Sequence, residues 1–212
     1  MKRILIILAV VLGFYACDDD YLNDGGISDA HVNMTTYDFL KSHPELDTLA
    51  LLIERGGFVD AVNATSTLFA ANNNSINKYV NTILAGLRQN DPNAEYTVDS
   101  IPVDTLKKYL GGYIFGELIT RDDLDEEGKI YETIDGEERK ISLEPISTYN
   151  NWLSTPAEII YFTFKNGEWD DLDVPGDDPD DKVTVRTSNI LTTNGVVHVL
   201  QGNHTIFNYK TN

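Results

Sequence analysis

The chain is poor in cysteine, in cations and in the short motifs that announce catalysis, and each shortage closes off a class of function. Its 212 residues include a single cysteine, Cys17, so no intramolecular disulfide can brace the fold. Stability has to come from burial and hydrogen bonding, for which the length is sufficient. Lys and Arg number 16 against 34 Asp and Glu, a formal net charge of −18. So few cations can displace little counterion from a phosphate backbone, which argues against nucleic acid as a partner. The same charge repels anionic headgroups and anionic glycans, and leaves neutral glycans, cationic partners and divalent cations compatible. No Gly-x-Ser-x-Gly elbow, phosphate-binding loop, dinucleotide fingerprint or cysteine-based metal spacing occurs. His31, His43, His198 and His204 are scattered, and the last two are too far apart for an adjacent-turn ligand pair. The reading is therefore non-enzymatic, with no catalytic residue, no metal ligand set and no cofactor, although two carboxylates suffice for a glycosidase and an acidic chain always offers them.

A long hydrophobic run is also missing. Ile4 to Leu12 is apolar but too short to span a bilayer comfortably. With Lys2 and Arg3 before it and a break at Gly13, it reads as part of a signal peptide covering residues 1–16. Ala16 immediately before the lone Cys17 resembles a bacterial lipobox, which implies a diacylglyceryl group on the thiol and explains an unpaired cysteine in an exported protein. Two or more acyl chains, at about 0.8 kcal/mol per buried methylene, anchor a protein stably without a transmembrane helix. Asp18-Asp19-Asp20 resembles the acidic surface-export signal of lipoproteins from the Bacteroidetes, which implies the outer face of the outer membrane. Residues 17–33, with Gly25-Gly26 in their midst, read as a lipidated flexible tether.

From Thr35 the pattern becomes helical. Thr35 with Asp38 resembles a capping box, Leu46, Leu49, Leu52 and Ile53 fall at helical spacing, and Gly56-Gly57 supplies a stop. A short helix over Phe58 to Val62 and a buried strand over Ser66 to Ala71 follow. Asn72 to Asn74 can cap a helix whose face is Ile76, Val80, Ile83, Leu84 and Leu87. Another helix runs from Val103 to Leu110, stops at Gly111-Gly112, and leads into a strand over Tyr113 to Ile119. Beyond Asp125 the period shortens. Lys129 to Ile134 and Glu137 to Leu143 flank Asp135-Gly136, a hairpin signal, and Glu158 to Phe164 before Asn166-Gly167 repeats it. Lys182 to Thr187, Val196 to Leu200 and His204 to Phe207 complete the predicted strands. Helices first and strands later point to an α+β fold rather than a parallel α/β sheet.

Two stretches carry a family resemblance. Thr67-Leu68-Phe69-Ala70, with Asn73 as the helix cap, is similar to the first signature of the fasciclin domain, and Asn194-Gly195-Val196-Val197-His198-Val199-Leu200 is similar to its second. Ile119 to Leu124 resembles a further segment of that family. The resemblance spans about Thr35 to Phe207. It implies one domain over residues 34–209, with N-terminal helices packed on a twisted β-sheet wedge formed largely by the C-terminal half, and an extracellular adhesion or interaction role. By their chemistry the motif residues are structural. Asn194-Gly195 suits a positive-φ turn, Val196, Val197 and Val199 favour a strand, and His198 reads as a hydrogen-bonded core histidine. The Tyr-His pair that the family links to integrin-type adhesion corresponds here to Gly112-Tyr113, and Asn189-Ile190 stands where the family has Asp-Ile, so an integrin role is not carried over.

Residues of about 144–181 exceed what the family places between these strands. This acidic and aromatic insertion holds Tyr149, Trp152, Tyr161, Phe162 and Trp169, then seven aspartates from Asp170 to Asp181. Rings beside carboxylates suit a neutral sugar, which makes Tyr149, Trp152 and Trp169 the candidate ligand-binding residues. No Asp-x-Asp-x-Asp-Gly loop supports a dedicated calcium site. Asp47-Thr48-Leu49, Asp99-Ser100-Ile101 and Asp104-Thr105-Leu106 resemble the O-glycosylation acceptors of exported Bacteroidetes proteins. The expectation is an exported, lipid-anchored, surface-exposed outer-membrane protein. It binds an extracellular protein or neutral glycan without chemistry; the alternative is a substrate-capture accessory in polysaccharide uptake.

Overall fold

Apolar runs at helical period in the first half and at strand period in the second fold as that order dictates. The computed structural model describes residues 30–146, 157–170 and 179–209. Cys17, Asp18, Asp19, Asp20, Tyr149 and Trp152 lie outside the described residues, as do Asp171, Asp173, Asp177 and Asp178. The helices are α1 (Thr36–Ser42), α2 (Asp47–Gly56), α3 (Val59–Asn63), α4 (Asn73–Arg88) and α5 (Val103–Tyr109). The strands are β1 (Ser66–Ala70), β2 (Ile114–Phe115), β3 (Lys129–Glu132), β4 (Glu138–Pro145), β5 (Glu158–Phe164), β6 (Asp181–Leu191) and β7 (Gly195–Leu200). The architecture is α+β.

Capping chemistry sets the helix starts. The Thr35 hydroxyl oxygen accepts from the Asp38 amide at 3.2 Å, and α2 stops where Gly57 turns left-handed at φ 79°. At α4 the cap is one residue earlier than the motif implied. Asn72 Oδ1 accepts from the Ser75 amide at 3.1 Å, while Asn73 reaches sideways and donates to Pro44 O (3.1 Å) and Asp47 Oδ1 (2.8 Å). Asn73 thus ties the start of α4 to the start of α2. The buried face of α4 is Ile76, Tyr79 and Val80; Leu87 is exposed, because the last turns run past the core.

The seven strands among the described residues share one sheet in the order β2-β1-β7-β6-β5-β4-β3. Every pairing is antiparallel except β1 with β7, whose residues Ser66 to Ala70 run parallel to Gly195 to Val199. The two edges approach each other, since the Ile134 amide after β3 donates to Ile114 O of β2 at 2.9 Å. This contact nearly closes the sheet and covers edges that would otherwise invite pairing with other chains. The hairpin between β3 and β4 has three loop residues, ending at Gly136 with φ 82°, so Asp135-Gly136 makes a type I turn with a bulge rather than a two-residue turn.

Four expectations fail for tertiary reasons. His204 to Phe207 is not a strand; Ile206–Asn208 is a tight turn in which Phe207 is left-handed. Tyr113 closes a 3-10 turn, which leaves only Ile114–Phe115 of the strand predicted over Tyr113 to Ile119. Asn166-Gly167 does not make a tight hairpin, because Phe164 pairs with Asp181 across a long connection. Residues 31–33, expected to belong to a tether, join the fold instead. His31 bridges to Leu191, and the Val32 amide donates to Leu191 O at 2.8 Å, so the folded unit starts at His31.

One hydrophobic core joins helices and sheet. Leu40, Leu46, Leu52 and Ile53 from α1, the α1–α2 turn and α2 meet Leu68, Phe69, Phe115 and Phe162 from the strands, all fully buried. An aromatic column runs through it. The Phe69 ring stacks on His198 at 4.7 Å and on Phe162 at 4.7 Å, and Phe162 meets Phe164 edge-on at 5.0 Å. Such pairs contribute about 0.5–1.5 kcal/mol each beyond their area burial.

Candidate functional site

The two motif strands are neighbours at the middle of the sheet, and their side chains are committed to holding it. Thr67, in β1, donates its hydroxyl to Glu117 O (2.7 Å) and accepts from the Ile119 amide (2.8 Å). Asn194 accepts from the Thr36 amide (2.9 Å) and donates to Val62 O (2.9 Å) and Ala64 O (3.0 Å), so it pins α1 and α3 to the turn before β7. Gly195 is not left-handed, contrary to the positive-φ expectation. It is glycine because β1 passes so close: a Cβ there would lie 2.3 Å from Ser66 O. Leu68, Phe69, Ala70, Val196, Val197 and Val199 are buried.

His198 is fully buried and donates from Nε2 to Ile119 O at 2.9 Å, while Nδ1 accepts from the Asn189 amide at 3.4 Å. These contacts select the neutral tautomer, and burial pulls its pKa down to about 4. Asn189 reaches it by adopting a left-handed backbone (φ 58°) where the β6–β7 register shifts. None of these groups is presented to a ligand.

In the insertion, Phe162 is core rather than platform. Trp169 is committed too. Its indole donates to Glu138 Oε2 at 3.1 Å, and Lys165 Nζ lies 5.7 Å from the ring centroid. Two of the aspartates lock the base of the loop. The Asp170 amide donates to Asp180 Oδ2 (3.0 Å), the Asp180 amide donates to Asp170 Oδ2 (2.7 Å), and Asp180 Oδ1 also accepts from the Asn166 amide (2.8 Å). Among the described residues no group of three or more His, Cys, Asp or Glu side chains is arranged to hold a metal ion.

A concavity lies at the other end of the central strands from the Asn194 turn. It is a cleft of about 330 Å³ lined by Lys108, Tyr109, Tyr113, Asp135, Glu137, Arg139, Phe164, Lys165, Phe207 and Asn208. That volume is at the low end for a small-molecule site. Its floor is a buried cation. Arg139 is 7% exposed, its guanidinium sits 4.6 Å above the centroid of the Phe164 ring, and Nη1 donates to Glu138 O (2.7 Å) and Glu137 Oε2 (3.2 Å). Gly112 makes the space, since a Cβ there would lie 2.8 Å from Nη2. Arg139 Nε and Thr163 Oγ1 are the buried side-chain polar atoms without a hydrogen-bond partner among the described residues.

One wall of the cleft is held under strain. Phe207 (φ 66°) and Asn208 (φ 49°) are successive non-glycine residues in the left-handed region, which costs on the order of 1–3 kcal/mol each unless the surroundings impose it. The surroundings do. The Phe207 amide donates to the Tyr113 hydroxyl at 2.8 Å, and the same hydroxyl is hydrogen-bonded to His204 Nε2 at 2.8 Å. Burial, with Lys78 as a lesser cause, lowers the His204 pKa to about 4, and burial raises that of Tyr113, so both are neutral. The Phe207 ring is thereby set between Tyr79 (5.2 Å) and Tyr109 (5.8 Å), and Tyr79 also meets Tyr209 (5.1 Å). This site was not found from sequence. The one available signal was Phe207-Asn208 at the end of a run that alternates like a strand.

No family model matches the chain, and no curated protein matches it. Among solved structures it is similar to a FAS1 domain pair from the insect cell adhesion molecule Fasciclin I, at 17% identity and a TM-score of 0.49. The match covers 79% of this chain and 49% of that one, so the chain spans about half the length of the structure it matches. Among the described residues no helix is long and apolar enough to cross a membrane.

Proposed function

We propose that this protein is a non-catalytic binding module of the cell envelope, fasciclin-like in arrangement, lipid-anchored through Cys17 and displayed at the outer surface, where it mediates adhesion or contact with an extracellular protein or glycan. The observation that carries the reading is the side-by-side pairing of Ser66–Ala70 with Gly195–Val199 at the centre of the sheet. Two segments that resemble the signatures of one family are over a hundred residues apart in the chain and are hydrogen-bonded together in the fold, as parts of one scaffold would be. The lipobox-like Ala16-Cys17, the acidic Asp18-Asp19-Asp20 and the polar stretch up to Ala30 support an anchored domain held off a membrane.

The second reading, glycan capture during polysaccharide uptake, is favoured by the mixed aromatic and charged lining of the cleft. It shifts the contact surface from the insertion to the Phe207 end. Protease shaving of intact cells tests the primary reading. The native chain is expected to be cleaved while a periplasmic control survives, and Cys17→Ser is expected to abolish metabolic labelling with palmitate. Protection of the native chain overturns surface display, and labelling of Cys17→Ser overturns the anchor.

A further inference from the structure

We infer that the Arg139 cleft is a binding site for a carboxylate-bearing sugar, a hexuronic acid residue of a glycan. The inference rests on the glycan-binding reading and names its chemistry. A guanidinium removed from water needs acceptors on its whole fork, and leaving part of it unmatched in low dielectric is expensive. Arg139 has one carboxylate partner, Glu137, whose side chain is 65% exposed, and its Nε has none among the described residues. The cation is nevertheless kept at the floor of a concavity. An acceptor-rich ligand in the cleft would meet the Nη end of the fork, where Nη2 makes no hydrogen bond among the described residues, and a carboxylate matches that end best.

The rest of the lining narrows the ligand. The chain has 34 acidic and 16 basic residues, yet Lys108 and Lys165 join Arg139 around this one cleft. Lys165 is shared at the rim with Glu138 (3.6 Å) and Glu168 (3.7 Å), so Arg139 and Lys108 are the cations left to meet an anion, beside Asp135 and Glu137. Those two carboxylates accept hydrogen bonds from hydroxyl groups, and the Tyr109 and Phe207 rings add apolar surface to the wall for C–H groups. Inorganic phosphate would use the cations and leave the rings and carboxylates idle. A ligand with a carboxylate, hydroxyls and an apolar face uses all three, and the strain at Phe207 and Asn208 is what keeps the ring wall in place.

The position of the cleft suits capture by a tethered domain. The chain enters the fold at His31, beside Leu191 at one end of β6, whereas the cleft residue Phe164 pairs with Asp181 at the other end. At roughly 3.3 Å per residue, the 11 residues of β6 separate the two by on the order of 30 Å. A domain held at its N-terminus carries the cleft on its far side.

The test is calorimetric titration of the full chain with a short galacturonate oligosaccharide and with its neutral galactose counterpart. Saturable binding of the acidic oligosaccharide, at least tenfold tighter than the neutral one, is expected. It should weaken at least tenfold in Lys108→Gln/Lys165→Gln, a rim double variant whose folding is not at stake, and in Arg139→Met where that variant folds. Equal affinity for the two sugars overturns the carboxylate assignment and leaves the glycan reading standing. Binding of neither overturns both. Unchanged affinity in the double variant, or equal displacement by inorganic phosphate at matched concentration, also overturns the assignment.

Discussion

At the centre of the sheet, Thr67, Asn194 and His198 have their hydrogen-bonding groups matched to backbone atoms, with Asn189 alone left-handed; at the Phe207 end, Arg139 Nε has no partner among the described residues and two successive non-glycine residues are left-handed. The two regions are joined by the column of rings from His198 through Phe69 and Phe162 to Phe164, on which the Arg139 guanidinium rests. One end of that column is closed to solvent and the other opens on the cleft. The difference teaches that recognisable sequence here marks the scaffold. The site, by contrast, is assembled from residues that match no pattern, because its requirements are met by proximity between distant segments.

The largest effect should come from cutting the column at its buried end. Phe69 touches Phe115, Phe162 and His198 and is fully buried. Phe69→Ala is expected to lower the unfolding free energy in urea by about 3–5 kcal/mol, through lost transfer energy and the cavity left behind. A loss below about 1 kcal/mol would break the claim that the motif strands hold the core.

Acid should come next and should act at both ends of the column. His198 and His204 are held neutral with pKa values near 4, against an ordinary value of 6.5. Between those values the unfolded chain binds protons that the folded chain does not, so their stabilising contribution is whole above pH 6.5 and is lost as pH falls towards 4. At the bottom of that window the two together destabilise the fold by several kcal/mol, about 3 from each. Carboxylates stabilised by hydrogen bonds, Asp47 and Asp123, add their own losses in the same direction, chiefly below pH 3.8. Denaturant midpoints measured across this range should fall with acid, and His198→Gln or His204→Gln should each flatten the dependence by about half. A slope that neither substitution changes would assign the acid sensitivity to other groups.

Local chemistry explains which parts were legible. Thr35 with its Asp38 amide, the Gly57 stop and the apolar run of β1 announce themselves because each acts within a few residues. Thr67 to Ala70 and Asn194 to Val199 were readable as a pair, but the reason for Gly195 was not, since Ser66 O approaches it from across the sheet. Arg139 looks like any charged residue of a hairpin strand, and only the fold brings Gly112 and Phe164 against it. His204 to Phe207 alternates as a strand would, yet Tyr113, from ninety residues earlier, takes the Phe207 amide and turns the segment left-handed.

The smallest effect concerns where that strain resides. Asparagine tolerates the left-handed region because its short polar side chain can compensate locally, whereas an aromatic residue has no such relief. Asn208→Gly removes a mild penalty at φ 49° and adds backbone entropy to the unfolded chain, two terms of opposite sign and similar size. Its stability is expected to stay within about 0.5 kcal/mol of the native chain. Affinity for the acidic oligosaccharide should fall all the same, because a looser turn no longer fixes the Phe207 ring before the ligand arrives. A gain in stability above about 1 kcal/mol would instead place the stored strain at Asn208, and the contrast between a satisfied centre and a strained cleft would then rest on a single residue.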